Sequence, residues 1–103
     1  MAHQIRLTLQ AEKDLRDIFT FIARDNPDAA RTVIDQILER LHLLENFPMG
    51  GHPFTEIADR NLREIVVSHY RLIYEVDSAS AYINVIRIWH GARGIPRIAK
   101  RPT

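Results

Sequence analysis

The sequence predicts an α+β fold in which a helical hairpin packs on one face of an antiparallel sheet. Apolar residues recur at spacings of three and four through residues 10–44, whereas β-branched and aromatic residues form short runs after Asp59. The connections between those runs are shorter than the crossover that parallel strands need. We therefore expect the order β-α-α-β-β-β within one domain that spans residues 1–103.

The first strand and first helix are predicted from a change in apolar period. Ile5, Leu7 and Leu9 alternate within residues 3–9, which is typical of a half-buried strand. From residue 10 the apolar residues follow a helical stripe, which ends near Asp25. The stripe consists of Ala11, Leu15, Ile18, Phe19 and Ile22.

The second helix has a start signal and the most regular stripe in the chain. Asn26 favours the capping position and Pro27 the first helical position. The stripe consists of Ala30, Val33, Ile34, Ile37, Leu38, Leu41 and Leu44. Two prolines and two glycines follow it, so we expect a loop from Asn46 to Asp59.

Three further strands are predicted in the C-terminal half, and each carries one arginine. They are Leu62–Val67 with Arg63, Tyr70–Val76 with Arg71, and Tyr82–Trp89 with Arg87. Alternation in the last strand predicts that Arg87 shares a face with Ile83, Val85 and Trp89. These arginines either form a cationic surface for a phosphate backbone or acidic segment, or pair with Glu64, Glu75 or Asp77 across the strands.

Composition limits the classes of function. The chain has no cysteine, which excludes disulfides, thiol nucleophiles and cysteine-ligated metals. No apolar run is long enough for a membrane span and no signal-peptide pattern is present, so we expect a cytoplasmic protein without a membrane role. The net charge is +1, yet residues 78–103 contain five basic and no acidic residues. This basic end favours an acidic partner, or is simply solvated.

No recognisable catalytic motif is present. The chain lacks the metalloprotease, phosphate-loop, dinucleotide and nucleophile-elbow patterns, and its five histidines show no close metal-ligand spacing. We expect neither a metal nor a cofactor. His90, at the end of the last strand, is a candidate proton donor near neutral pH.

Four motifs in order resemble those of the RelE/ParE toxin superfamily of type II toxin-antitoxin systems, which serve in plasmid stabilisation. They cover nearly the whole chain. They are Ala11-x-x-x-Leu15-x-x-Ile18, the strand with Arg63, the strand Tyr70-Arg71-Leu72-Ile73-Tyr74, and Ile88-x-His90-Gly91-x-Arg93. The resemblance implies a toxin that a small cognate antitoxin neutralises in a hetero-oligomer, by strand addition or by a helix in a groove.

The superfamily contains two activities, and the resemblance is closer to the ParE-like members. RelE-like members are ribosome-dependent mRNA interferases, for which Arg71, Arg87 and His90 would remain as site residues here. The lysines and the C-terminal tyrosine that complete such a site have no counterparts in this chain. ParE-like members poison DNA gyrase and need no catalytic residues.

In the ParE-like interpretation, a target-binding surface is expected near the end of the last strand. Its candidates are Arg63, Arg87, Trp89, His90 and Arg93, with the basic tail Arg97, Lys100 and Arg101. Trp89 is either an interface anchor or a core aromatic.

Overall fold

The computed structural model describes residues 3–57, 60–94 and 96–98. The elements are β1 (Gln4–Leu7), α1 (Leu9–Ala23), α2 (Pro27–Leu43), β2 (His52–Phe54), β3 (Leu62–Val67), β4 (Tyr70–Asp77) and β5 (Tyr82–His90), followed by a single 3-10 turn at Gly91–Arg93. Within these residues the strands form one sheet in the order β1-β5-β4-β3-β2. The predicted α+β class, with two helices on a sheet, is confirmed.

The sheet is mixed, whereas the sequence predicted an antiparallel one. β1 pairs with β5 in parallel, and the pairs β2–β3, β3–β4 and β4–β5 are antiparallel as expected. The prediction was wrong for β1 because it considered only the short connections between later strands. The helical hairpin follows β1 directly and supplies the crossover that a parallel pair requires.

The junction of β1 and α1 lies two residues earlier than the alternation of Leu7 and Leu9 suggested. The Thr8 hydroxyl accepts a hydrogen bond from the Ala11 N–H at 3.1 Å and donates one to the Val85 carbonyl at 2.9 Å. Thr8 therefore caps α1 and fastens its start to β5. Leu9, predicted to point inward from the first strand, is instead the first residue of α1 and is 85% exposed.

The loop predicted between Asn46 and Asp59 contains β2, which pairs with β3. Three residues that include a proline are too few for a recognisable strand pattern, and Pro is tolerated in an edge strand. Gly51, just before β2, is required by a close approach. A Cβ atom there would lie 2.6 Å from both the Glu64 carbonyl oxygen and the Tyr74 hydroxyl.

Two apolar clusters cover the two faces of the sheet. The larger lies between the sheet and the helices and includes Ile37, Leu41, Leu72, Tyr74, Ile83, Val85 and Ile88. The smaller lies on the opposite face, where Phe54, Leu62 and Ile73 are packed by Ile57, Ile86 and Ile98.

A β-bulge in β5 changes which side chains share a face. Ile73 of β4 is aligned with Arg87 and the next residue, Tyr74, with Val85, so Ile86 is the extra residue. Beyond the bulge Ile88 joins Ile83 and Val85 in the cluster under the helices. The predicted sharing of one face by Arg87, Ile83 and Val85 is therefore wrong, because strict alternation fails at a bulge.

Candidate target-binding site

Four of the five predicted target-binding residues border one cleft between α1 and the end of β5. Arg87, Trp89, His90 and Arg93 line this cleft, which has a volume of about 470 Å³. From α1 it is bordered by Ile18 and Phe21, among others. The fifth predicted residue, Arg63, lies elsewhere. We call this space the α1–β5 cleft.

Asp14 of α1 holds Arg87 at the base of the α1–β5 cleft. Its carboxylate accepts from Arg87 Nε and Nη2, both at 2.8 Å, and from the Ile88 backbone N–H at 3.0 Å. It also accepts from the Gln10 amide at 2.9 Å. The pairing of β1 with β5 ends at Val85, so the Ile88 N–H lies beyond it. Asp14 supplies the hydrogen-bond acceptor that β1 would otherwise provide there. The side chain is 7% exposed.

Sequence reasoning missed Asp14, although a signal was present. The sequence offered only acids across neighbouring strands as partners for the strand arginines, whereas Asp14 lies 73 residues before Arg87 in the chain. Asp14 is three residues after Ala11 and four before Ile18, so it lies on the apolar stripe of α1. A carboxylate on a buried helix face requires a partner.

Trp89 is buried and contacts two guanidinium groups. The Arg87 and Arg93 guanidinium carbons are each 4.8 Å from the ring centroid, within cation–π range. The indole N–H donates to the Gly94 carbonyl at 3.0 Å. Arg93 is exposed and has no carboxylate within 4 Å among the described residues. Within the described part of the chain, the cleft therefore carries a positive charge at Arg93 that no carboxylate pairs.

His90 ends β5 and caps the turn that follows. Its Nδ1 accepts from the Ala92 backbone N–H at 3.1 Å, so that nitrogen carries no proton in this arrangement. The ring is edge-on to Tyr70, with centroids 5.3 Å apart, and stacks on His69 at 6.1 Å. Burial raises the pKa of Tyr70 above its ordinary value.

Arg71 is held by two carboxylates, which is one of the two alternatives that the sequence left open. Its Nε and Nη2 donate to Glu64 at 2.7 and 3.1 Å, and Nη2 also donates to Glu56 at 3.1 Å. These bonds, chiefly the one to Glu64, raise the pKa of Arg71 further. Another ion pair, Arg60 with Glu75, joins residues that are both about nine-tenths buried.

Arg63 lies on the other face of the sheet from Arg71, so the strand arginines do not form one cationic surface. It is aligned with Tyr74, whose hydroxyl accepts from the Gly51 N–H at 2.8 Å and donates to the Pro48 carbonyl at 2.9 Å. Burial raises the pKa of Tyr74, while the Gly51 hydrogen bond and the charge of Arg63 oppose this. Arg63 Nε is buried and has no hydrogen-bond partner among residues 3–57, 60–94 and 96–98.

A second, more apolar groove lies between β1 and the two helices. One part, of about 500 Å³, is lined by Leu7, Leu15, Phe19 and Ile34, among others. It adjoins a part of about 180 Å³ bordered by Ile5, Leu7, Leu38 and Leu41. We call this the β1 groove. β1 is an edge strand of the sheet that the described residues form, so a groove and a strand edge lie side by side.

The basic tail is described only in part. The Arg97 carbonyl accepts from Arg87 Nη1 at 2.7 Å, whereas Lys100 and Arg101 lie outside the described residues. Among residues 3–57, 60–94 and 96–98, no group of three or more metal-ligating side chains is present. In that same part of the chain, neither helix has the length and apolar character to cross a membrane.

Two solved structures share the fold of this chain. The toxin-antitoxin structure "Chromosomal ParDE TA system from P. aeruginosa" superposes with a TM-score of 0.71 at 18% identity, covering 86% of this chain and 96% of that one. The RelBE2 toxin-antitoxin complex of Mycobacterium tuberculosis gives a TM-score of 0.65 at 20% identity, covering 87% and 99%. The chain therefore has the same fold as these two toxin-antitoxin structures.

The family follows from the sequence itself. Residues 5–95 match the family model described as "ParE toxin of type II toxin-antitoxin system, parDE". The chain therefore belongs to the ParE toxin family of type II toxin-antitoxin systems. It is also 28% identical over 97 residues to "Putative toxin Y4kP" of Sinorhizobium fredii, covering 92% of this chain and 95% of that protein.

Proposed function

We propose that this toxin stops growth by binding and poisoning DNA gyrase, without bond-making chemistry of its own, and that a cognate antitoxin neutralises it. One observation carries the proposal. The residues that RNA cleavage would require at the sheet are already bonded within the chain. The family match supports the same choice, since the resemblance to ParE-like toxins implies gyrase as the target.

RNA cleavage through the 2′-hydroxyl needs a proton donor and cations that stabilise the developing charge on phosphate. Arg71 already binds Glu64 and Glu56, and Arg87 binds Asp14. A phosphate would therefore have to displace a carboxylate at each arginine. Because both arginines are already paired with carboxylates, the surface is better suited to binding a protein than to cleaving RNA.

His90 fits the role of proton donor equally poorly. An imidazolium carries protons on both nitrogens, so it could not accept the Ala92 N–H. Nδ1 is instead the acceptor that caps the turn containing Arg93. In the proposed function His90 positions this turn next to the target-binding surface.

The β1 groove supports the antitoxin part of the proposal. An amphipathic helix could bury its apolar face there, and an extended segment could add to the edge of β1. The two structural relatives described above are a ParDE system and a RelBE2 complex, each comprising a toxin and an antitoxin. This groove is separate from the α1–β5 cleft, since the residues lining the two differ.

The test combines a purified assay with labelling in cells. Purified toxin should block supercoiling by gyrase and accumulate cleaved DNA, and the antitoxin should reverse both effects. After induction in bacteria without antitoxin, thymidine incorporation should fall within minutes while methionine incorporation continues. Arg71→Gln, in chains shown by circular dichroism to be folded, should keep this toxicity.

Two results would contradict the proposal. Early loss of methionine incorporation with cleaved mRNA on ribosomes would support a ribosome-dependent interferase that uses Arg71, Arg87 and His90. Unchanged incorporation of both labels would indicate a chain that retains only antitoxin binding.

A further inference from the structure

We propose that the α1–β5 cleft receives an acidic segment of the target protein, with an apolar side chain inserted between α1 and Trp89 and a carboxylate paired with Arg93. This inference rests on the proposed function, in which the target protein is gyrase. It goes beyond that function by naming the surface, the occupant's chemistry and the residues that would contact it.

The apolar part of the argument comes from the walls of the cleft. Phe21 on α1 is 71% exposed at the rim, and Ile18 lies one turn before it. Ile88 and Trp89 form the wall on the β5 side. A large exposed aromatic beside an apolar cleft is typical of a site that buries a partner's side chain.

The charge of the cleft selects an acidic occupant. Asp14 is neutralised by Arg87, and Asp17 pairs with Lys13 at 2.9 Å. Arg93 has no such partner among the described residues, and no acid occurs in the sequence after Asp77. Its guanidinium is already placed by contact with Trp89, which lowers the entropy cost of pairing with a carboxylate.

The cleft fits a protein segment better than a nucleic-acid backbone. Binding the phosphates of a nucleic-acid strand needs several free cations. Arg87 is not free, because its N–H groups already donate to Asp14 and to the Arg97 carbonyl. Among the described residues that line the cleft, Arg93 is the arginine without a carboxylate partner, which matches one carboxylate next to one apolar side chain. We therefore assign the cleft to the gyrase protein and not to its DNA.

The first test compares matched variants in gyrase inhibition. Phe21→Ala and Arg93→Gln should each raise the toxin concentration that half-inhibits supercoiling at least about tenfold, as hot-spot truncations do. Phe47→Ala and Arg40→Gln should stay within about twofold of the unmodified toxin. Phe47 is 69% exposed, nearly the same as Phe21, and neither control lines the cleft.

The second test identifies the occupant directly. A photoreactive benzoylphenylalanine replaces Phe21 in one sample and Phe47 in a control sample, each mixed with gyrase holoenzyme and DNA. Crosslinks from position 21 to an acidic gyrase segment, with few from position 47, would support the proposal. Crosslinks from position 21 to DNA, or to added antitoxin but not to gyrase, would overturn it.

The outcomes separate this inference from the proposed function. If the unmodified toxin inhibits gyrase and all four variants behave alike, the cleft is not the docking site and gyrase poisoning stands. If the unmodified toxin leaves supercoiling intact at stoichiometric excess, both the proposed function and the inference fail.

Discussion

Replacing Asp14 by alanine should destabilise the protein far more than replacing Asp17, although both lie on α1. Asp14→Ala leaves the Arg87 guanidinium, whose side chain is 14% exposed, without its carboxylate. Removing one partner of a buried pair costs about 3–5 kcal/mol. The Ile88 N–H also loses its acceptor, but Arg87 keeps the Arg97 carbonyl. We expect a net loss of about 3 kcal/mol in the free energy of unfolding.

Asp17 provides the matched control. It pairs with Lys13, but both side chains are more than 60% exposed. An exposed pair at this helical spacing contributes about 0.3–0.5 kcal/mol. Asp17→Ala should therefore lower the unfolding free energy by less than about 0.5 kcal/mol, measured by urea titration with circular dichroism.

A double-mutant cycle tests whether the effect comes from the pair. Arg87→Met keeps an unbranched side chain and removes the charge. Combined with Asp14→Ala it should cost at least about 1.5 kcal/mol less than the two single changes added together, because no unpaired charge remains. Strictly additive effects, or an Asp14→Ala cost equal to that of Asp17→Ala, would refute the reasoning.

Three further predictions concern the turns and the tyrosines. Ser68 has φ of 55°, so Ser68→Gly should raise the unfolding free energy by about 0.5–1 kcal/mol, and an unchanged or lower melting temperature would contradict this. Tyr74→Phe should cost about 1–3 kcal/mol in urea titrations, because the buried Gly51 N–H loses its acceptor, and a neutral change would show that the hydroxyl is dispensable. Burial raises the pKa of Tyr70 above 10, its ordinary value in the unfolded chain. The stabilisation that the neutral phenol contributes is therefore complete below pH 10 and is lost as pH rises through the folded-state pKa. Tyr70→Phe should therefore flatten the loss of unfolding free energy above pH 10, and an unchanged alkaline profile would disprove this.

The sequence predicted the elements whose patterns are local. The stripe of the second helix runs for more than four turns, and Asn26 accepts from the Ala29 N–H at 3.0 Å as a capping residue should. β3 has the predicted bounds Leu62–Val67, and β4 and β5 each extend one residue beyond their predicted ends. Such segments can be recognised from one sequence, because the repeated apolar spacing lies within the segment itself.

The errors arise where structure depends on residues far apart in the chain. The parallel pairing of β1 with β5 joins segments at opposite ends of the chain. The bulge at Ile86 lies between neighbouring strands, but it breaks the alternation on which the prediction for β5 relied. The pairing of Asp14 with Arg87 joins the first helix to the last strand. Four candidates of the target-binding surface lie together because they are close in sequence, whereas Arg63 was grouped with them only by residue type.

The Asp14–Arg87 pair also determines how mutations at the cleft should be interpreted. Arg87 binds the segment after β5 through the Arg97 carbonyl and packs on Trp89, which Arg93 also contacts. Loss of Arg87 would therefore remove contacts to Trp89 and to the Arg97 carbonyl, beside Arg93, even if Arg87 never touches the target. A weak Arg87 variant cannot distinguish a contact residue from a positioning residue. A Phe21 variant does identify a contact residue, because the Phe21 side chain is largely exposed at the rim and its removal leaves the Asp14–Arg87 pair in place.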